Sequence, residues 1–284
     1  MADRPLTSTG APGPRIYCIL AAEAPAAAVL RRGPTGWCHL GRWDLEAPRY
    51  EPGAWFRGIL YPQKCDLSPD GRWLAYSALK YPAAWKAGNV YQAISRLPWV
   101  HALAAWGMGT TYTRGVRFVD EPGHSDLGAP DVGDATPCLR RYGLRYNTAE
   151  QFAVERRRGW SEAPGTEPRA QDDVWDERRA VCMHKRRPGG SEELLVEGSY
   201  AAFRGNPAFR NPARYTLVRD GGPESLTGVQ WADWDERGRL LVATEEGRIQ
   251  MRALTPEGFT PVFDEDLAER KPTPTPAPEW AREW

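Results

Sequence analysis

An excess of either charge is what this chain most plainly lacks: 37 basic residues stand against 37 acidic ones in a chain of 284. With no net field, nothing draws it globally toward nucleic acid or an anionic membrane surface. Lysine is scarce, at positions 64, 80, 86, 185 and 271 only, and arginine supplies the rest. That bias, with abundant Ala, Gly and Pro, reads as a GC-rich coding sequence and carries no phosphate-binding signal. Long apolar runs are missing too. The stretch 16–22 is broken by Glu23, has no basic segment immediately before it, and falls far short of the roughly 20 residues that cross a bilayer. It reads as a first strand.

Cysteine and histidine are sparse. The five Cys (18, 38, 65, 138, 182) are odd in number, far apart and mostly within apolar segments. This argues against a disulfide framework and fits reduced thiols in a cytoplasmic protein. Zinc sites need close-spaced Cys and His. Only Cys38-His39 and Cys182-Met183-His184 come near, the latter with both ligand types on one strand face, and core thiols are the expected reading. No metal and no cofactor are expected. The Gly-x-Ser-x-Gly elbow, the Gly-x-x-x-x-Gly-Lys-Ser/Thr loop and a strand-linked Gly-x-Gly-x-x-Gly are all absent, so no catalytic constellation is assigned. Helical periodicity is absent as well, which argues against an α/β fold.

What is present is a repeat. The stretch from Asp66 through Ser68-Pro69-Asp70-Gly71-Arg72 to Trp73-Leu74-Ala75-Tyr76 aligns without gaps on Asp233 through Gly238-Arg239 to Leu240-Leu241-Val242-Ala243. Each has an Asp, a polar turn closed by Gly-Arg, then an apolar strand. The 167-residue offset is filled by four units of about 42 residues, a propeller spacing. Turn centres near 24, 71, 115, 148, 190 and 238 suggest six units, with five as the alternative. The shared Asp66 and Asp233 are expected to bond the turn that follows each of them.

The expected fold is therefore all-β: a single β-propeller of five to six four-stranded blades, six being the best guess, over residues 15–270. A flexible arm at 1–14 precedes it, and a Pro-alternating tail at 271–284, ending in Trp280 and Trp284, follows it. The arm's neighbour, Arg15–Ala21, is expected to complete the last blade and remove exposed edges.

The Ser-Pro-Asp-Gly hairpin resembles blades of WD-repeat and Tol-type propellers, and Trp43-Asp44 resembles the WD dipeptide. More narrowly, Val29–Pro34 with Trp37, Lys64–Gly71, and Ala93–Pro98 with Ala102, Leu103, Ala105 and Trp106 resemble a group of uncharacterised bacterial propeller-like proteins. That resemblance covers roughly the first 110 residues. It implies a fold and no chemistry.

Candidate contacts lie where the repeat is broken. Tyr81, Trp85, Tyr91 and Arg96 sit in an aromatic, basic stretch, and Trp280 and Trp284 in the tail. Together they are the expected protein-binding residues. Arg140, Arg141, Arg156, Arg157, Arg158, Lys185, Arg186 and Arg187 form a candidate patch for an anion or acidic partner, offset by acids at 162–177. The expected function is a non-enzymatic protein-interaction module or scaffold of a bacterial cytoplasmic system. The alternative is a propeller enzyme or carbohydrate-like ligand binder using the central channel. Nucleic-acid binding through 140–187 is the weaker alternative.

Overall fold

A computed structural model describes residues 13–33, 36–81, 86–111, 113, 115–119, 131–133, 135–146, 153–163, 180–199, 213–219 and 221–284. Trp85, residues 1–12 of the arm, 120–130 of the long acidic loop and the Phe-Arg repeat near 202–212 lie outside them.

The first sheet is an antiparallel meander of β1 (Arg15–Leu20), β2 (Ala26–Arg32), β3 (Trp37–Asp44) and β4 (Arg49–Arg57). Asp44 closes its last turn, accepting from the Glu46 and Ala47 amides at 3.0 and 3.1 Å, as the Trp-Asp dipeptide suggests. Next come β5 (Ile59–Leu60), β6 (Asp66–Leu67), β7 (Trp73–Leu79), β8 (Val90–Arg96) and β9 (Ala104–Gly107), then β10 (Val116–Phe118), β11 (Asp131–Gly133) and β12 (Leu144–Tyr146). β5 and β6 both pair with β7, separated by a 3-10 turn at Pro62–Lys64, and β11 joins β9 in parallel to complete a second sheet of six strands. β10 and β12 form a two-stranded third sheet.

A single helical turn, α1 (Ala153–Arg157), leads to the fourth sheet: β13 (Ser161–Glu162), β14 (Ala180–Arg186), β15 (Glu193–Ser199), β16 (Arg214–Arg219) and β17 (Gly222–Ser225). The fifth is a meander of β18 (Val229–Trp234), β19 (Leu240–Thr244), β20 (Arg248–Thr255) and β21 (Gly258–Asp266). The protein is thus all-β, built from several largely antiparallel sheets.

Strand side chains alternate between two faces, and here both faces are covered. In β19, Leu240 and Val242 enter the core shared with the fourth sheet, while Leu241 and Ala243 enter the core shared with the first. In β7, Leu74, Tyr76 and Ala78 pack toward the first sheet; Trp73 and Ala75 pack toward β10 and β12. This is why these strands read as unbroken apolar runs instead of polar–apolar alternation.

Two expectations change. Turns near 115 and 148 suggest separate hairpins, but β10 from one pairs with β12 from the other, so the described residues hold five sheets of unequal size. Helical periodicity is absent from the sequence, yet Ala153–Arg157 form α1, whose turn carries Glu155 and Arg157 toward the protein's interior.

Candidate functional site

The repeated aspartates converge on buried polar chemistry. Asp66, at the start of β6, is fully buried. Its carboxylate accepts from the Leu67 amide (3.0 Å), the Phe118 amide in the third sheet (2.8 Å), Arg157 Nη2 (2.9 Å) and Arg158 Nη2 (2.7 Å). Arg158 also donates to the Leu20 carbonyl at 2.5 Å, tying in the first sheet. Asp233, near the end of β18, is the counterpart. It accepts from the Trp234 amide (2.7 Å), Lys185 Nζ of β14 (2.6 Å) and the Trp160 indole (3.1 Å).

The expectation that these two residues bond the following turn therefore needs correction. Ser68 and Asp70 bond the first turn, with the Trp73 amide donating to Ser68 Oγ at 2.9 Å and the Arg72 amide to Asp70 at 3.0 Å. Asp235 bonds the second, accepting from the Arg237 and Arg239 amides at 3.0 and 2.8 Å. Asp66 and Asp233 are ion-pair anchors between sheets. The sequence shows the two anions but not their cations, which lie 91, 92 and 48 residues away along the chain.

Beside these pairs sit Glu155 of α1, Tyr17 of β1 and Tyr215 of β16. Burial pushes the Glu155 carboxyl up from its ordinary range; Arg158 opposes this, while Asp66 and Asp233 add to it. Burial likewise raises the Tyr17 and Tyr215 phenols, and the nearby acids push the same way. Sequence reading did not single out these three residues. An isolated Glu in a helical turn and a Tyr in a strand carry no local signal.

The eight basic candidates do not make one surface. Arg157, Arg158 and Lys185 turn inward onto carboxylates. Arg187 pairs with Glu192 at 3.0 Å and donates to the Gly238 carbonyl at 2.8 Å, and Arg156 pairs with Glu162 at 3.0 Å. Arg140, Arg141 and Arg186 are exposed.

Among the aromatic candidates, Tyr81 is 68% exposed, whereas Tyr91 is only 4% exposed. Tyr91 falls inside β8, where its ring meets Tyr76 edge-on at 6.3 Å, so it is a core residue and not the surface contact its loop-like neighbourhood suggests. Arg96 lies 4.8 Å over the Trp73 ring. Trp85 lies outside the described residues.

The tail forms a second candidate site. Trp280 is 48% exposed, but Ala281 is fully buried. Trp284 stacks on Tyr142 with ring centroids 5.1 Å apart and an interplanar angle of 17°, and sits 5.4 Å from Trp73. The socket thus lies where the second and third sheets meet, bordered by Met108, Leu139 and Tyr146. The chain just ahead of the tail is held elsewhere. Arg31 of β2 is buried, and donates to the Leu267 and Ala268 carbonyls at 2.6 and 2.7 Å.

Near Arg31, His39 of β3 is buried, stacked on Trp55 at 4.4 Å and in hydrogen-bond contact with the Tyr50 hydroxyl at 3.1 Å. Burial lowers this imidazole to about 4, with Arg270 and Arg31 pushing the same way, so it is neutral near pH 7. The Cys18, Cys38 and Cys65 thiols are also buried, and burial pushes Cys65 up to about 12, an unreactive setting. Cys138 is exposed, unlike the core thiol its apolar neighbourhood suggests. Among the described residues, no three His, Cys, Asp or Glu gather as a metal-holding group, and no helix is long and apolar enough to cross a membrane. No protein-family model matches the chain, and no curated protein matches it.

Proposed function

We propose that the five sheets form a closed ring of the propeller type, serving as a protein-interaction module of a cytoplasmic system and not as an enzyme. Support for the ring comes from the apolar layers. They join the third sheet to the second, the second to the first, the first to the fifth and the fifth to the fourth. The α1 turn bridges the remaining gap, with Arg157 donating to the Phe118 carbonyl and Trp160 packed into the fourth-to-fifth core.

The observation that carries the functional reading is the neutralisation of both repeated aspartates. A general acid or base must be able to reach a substrate, and these carboxylates are surrounded by the protein's own donors. The inward turn of Arg157, Arg158 and Lys185 likewise weakens a nucleic-acid reading. Affinity purification of the tagged full chain from its native lysate, quantified against a tag-only control, should recover a stoichiometric protein. A protein that remains partnerless and monomeric across expression conditions would overturn this reading.

Glu155 favours a second reading, a small polar ligand at the ring centre. It is half-buried near Tyr17 and Tyr215, and no side-chain ion pair is made to it by the described residues. A carboxyl flanked by phenols suits an amine or a sugar hydroxyl. A melting screen with amines and monosaccharides should then give a shift that Glu155→Gln removes; no shift with any compound rules this reading out.

A further inference from the structure

The tail is seated as a ligand would be. Residues 271–276 are exposed, and among the described residues the segment 271–278 hydrogen-bonds only within the tail, through Ala277 and Pro278 carbonyls accepting from Arg282 and the Ala281 amide. Eight residues of alternating proline, extended, reach about 25 Å. They are pre-ordered, so little chain entropy is lost when the end docks. Contact with the body is concentrated at the last residues, where Ala281 is fully buried and the Trp284 ring stacks on Tyr142 beside Trp73.

A tryptophan buries about 150–250 Å² when it docks. Against that gain, the indole nitrogens of Trp284 and Trp73 are both buried without a hydrogen-bond partner among the described residues. An anchor with large apolar contact and unmet polar groups is one that can be exchanged.

Resting on the interaction-module reading, we propose that this socket is the binding site for an extended, proline-rich peptide carrying an aromatic anchor residue, and that residues 271–284 occupy it in cis until such a peptide displaces them. Among the described residues, the socket supplies a ring-stacking wall and no hydrogen-bond partner for the indole nitrogen. Recognition is therefore by shape and by the aromatic ring. A short tether holds the internal tail at an effective concentration of about a millimolar, so an incoming peptide competes against that.

The probe is a fluorescein-labelled synthetic peptide of residues 271–284, titrated into the full-length protein and followed by polarisation. Full-length Trp284→Ala, with its socket vacated, should bind the probe at least about tenfold more tightly than wild type, whose own tail competes. The probe carrying the same Trp284→Ala change should not bind. Lack of saturable binding to a folded Trp284→Ala protein, or equal affinity for wild type and variant, overturns the proposal.

Should the variant not fold, a wild-type chain with a protease site inserted after Thr275 and cut after folding keeps every native contact. Excess labelled peptide should exchange into the cut protein, and retention of the cut tail against that excess overturns the proposal. The two readings fail separately. A lysate partner recovered without peptide exchange lies elsewhere on the surface, and removes only the socket. Peptide exchange without any lysate partner supports the socket and removes the broader module.

Discussion

The hairpins at 66–76 and 233–243 share a backbone and differ in what they hold. Both turns end on a glycine in the left-handed region, Gly71 at φ 73° and Gly238 at φ 70°, whose amide donates back to Ser68 or Asp235. Both leading aspartates accept from the next residue's amide. Beyond that they diverge. Asp66 faces two guanidinium groups and a third-sheet amide, while Asp233 faces one ammonium and an indole. Local sequence sets the turn; the load on each aspartate is set by chain elements that arrive from far away.

The largest expected effect tests that asymmetry. Removing one side of a buried charge pair costs about 3–5 kcal/mol, because the partner is left buried and uncompensated. Asp66→Asn strands Arg158 and Arg157, whose side chains are 8% and 25% exposed, and should lose stability in that range. Asp233→Asn strands one cation, Lys185, which keeps the Trp234 carbonyl as an acceptor, and should lose about 3 kcal/mol, the low end of that range. Urea unfolding with unchanged m-values measures both, and equal losses would break the comparison.

A pH dependence is expected from the first-sheet imidazole. His39 sits at about 4 in the fold against an ordinary 6.5. Above pH 6.5 both states hold it neutral and stability is full. Between 6.5 and about 4 only the unfolded chain takes up the proton, so stability falls by about 3 kcal/mol over that window. His39→Gln should flatten the window. A slope unchanged by the substitution would assign it to other groups.

The smallest effect sharpens the turn comparison. A Cβ on Gly238 would lie 2.6 Å from the Pro188 carbonyl oxygen, whereas one on Gly71 would meet the Ala26 methyl at 3.0 Å. Both also force an L-residue into the left-handed region, at a cost of about 1 kcal/mol or more. Gly238→Ala should therefore lose about 2 kcal/mol and Gly71→Ala about 1 kcal/mol. Reversal of that order in thermal melts would place the tighter packing at the first hairpin.

The same division decided what could be read from sequence. Features encoded within a dozen residues were legible: β1 falls within a residue of its expected bounds, the apolar stretches after Gly71-Arg72 and Gly238-Arg239 form β7 and β19, and the Asp44 turn forms as read. β16, β17 and β21 were not foreseen. β21 carries Pro261 and three acids on an edge strand, which mutes the strand signal while guarding against edge pairing. The pairing of β10 with β12 was illegible for another reason, since three residues each, separated by a long connection, leave no periodicity to detect. Of the candidate sites, Trp284 was visible as an aromatic in the tail, but its socket draws Trp73 from β7 and Tyr142 from the 3-10 turn before β12, 69 residues apart.

Arg31 imposes an order on synthesis. Its two acceptors, Leu267 and Ala268, are made 236 and 237 residues after it. At 5–20 residues per second, a ribosome needs about 12–47 s to cover that interval. Throughout it, a guanidinium destined for the interior has nothing to hold, and the first sheet lacks the fifth against which Trp43 and Val29 pack. The nascent first sheet thus stays open at one seam until residues 267 and 268 emerge.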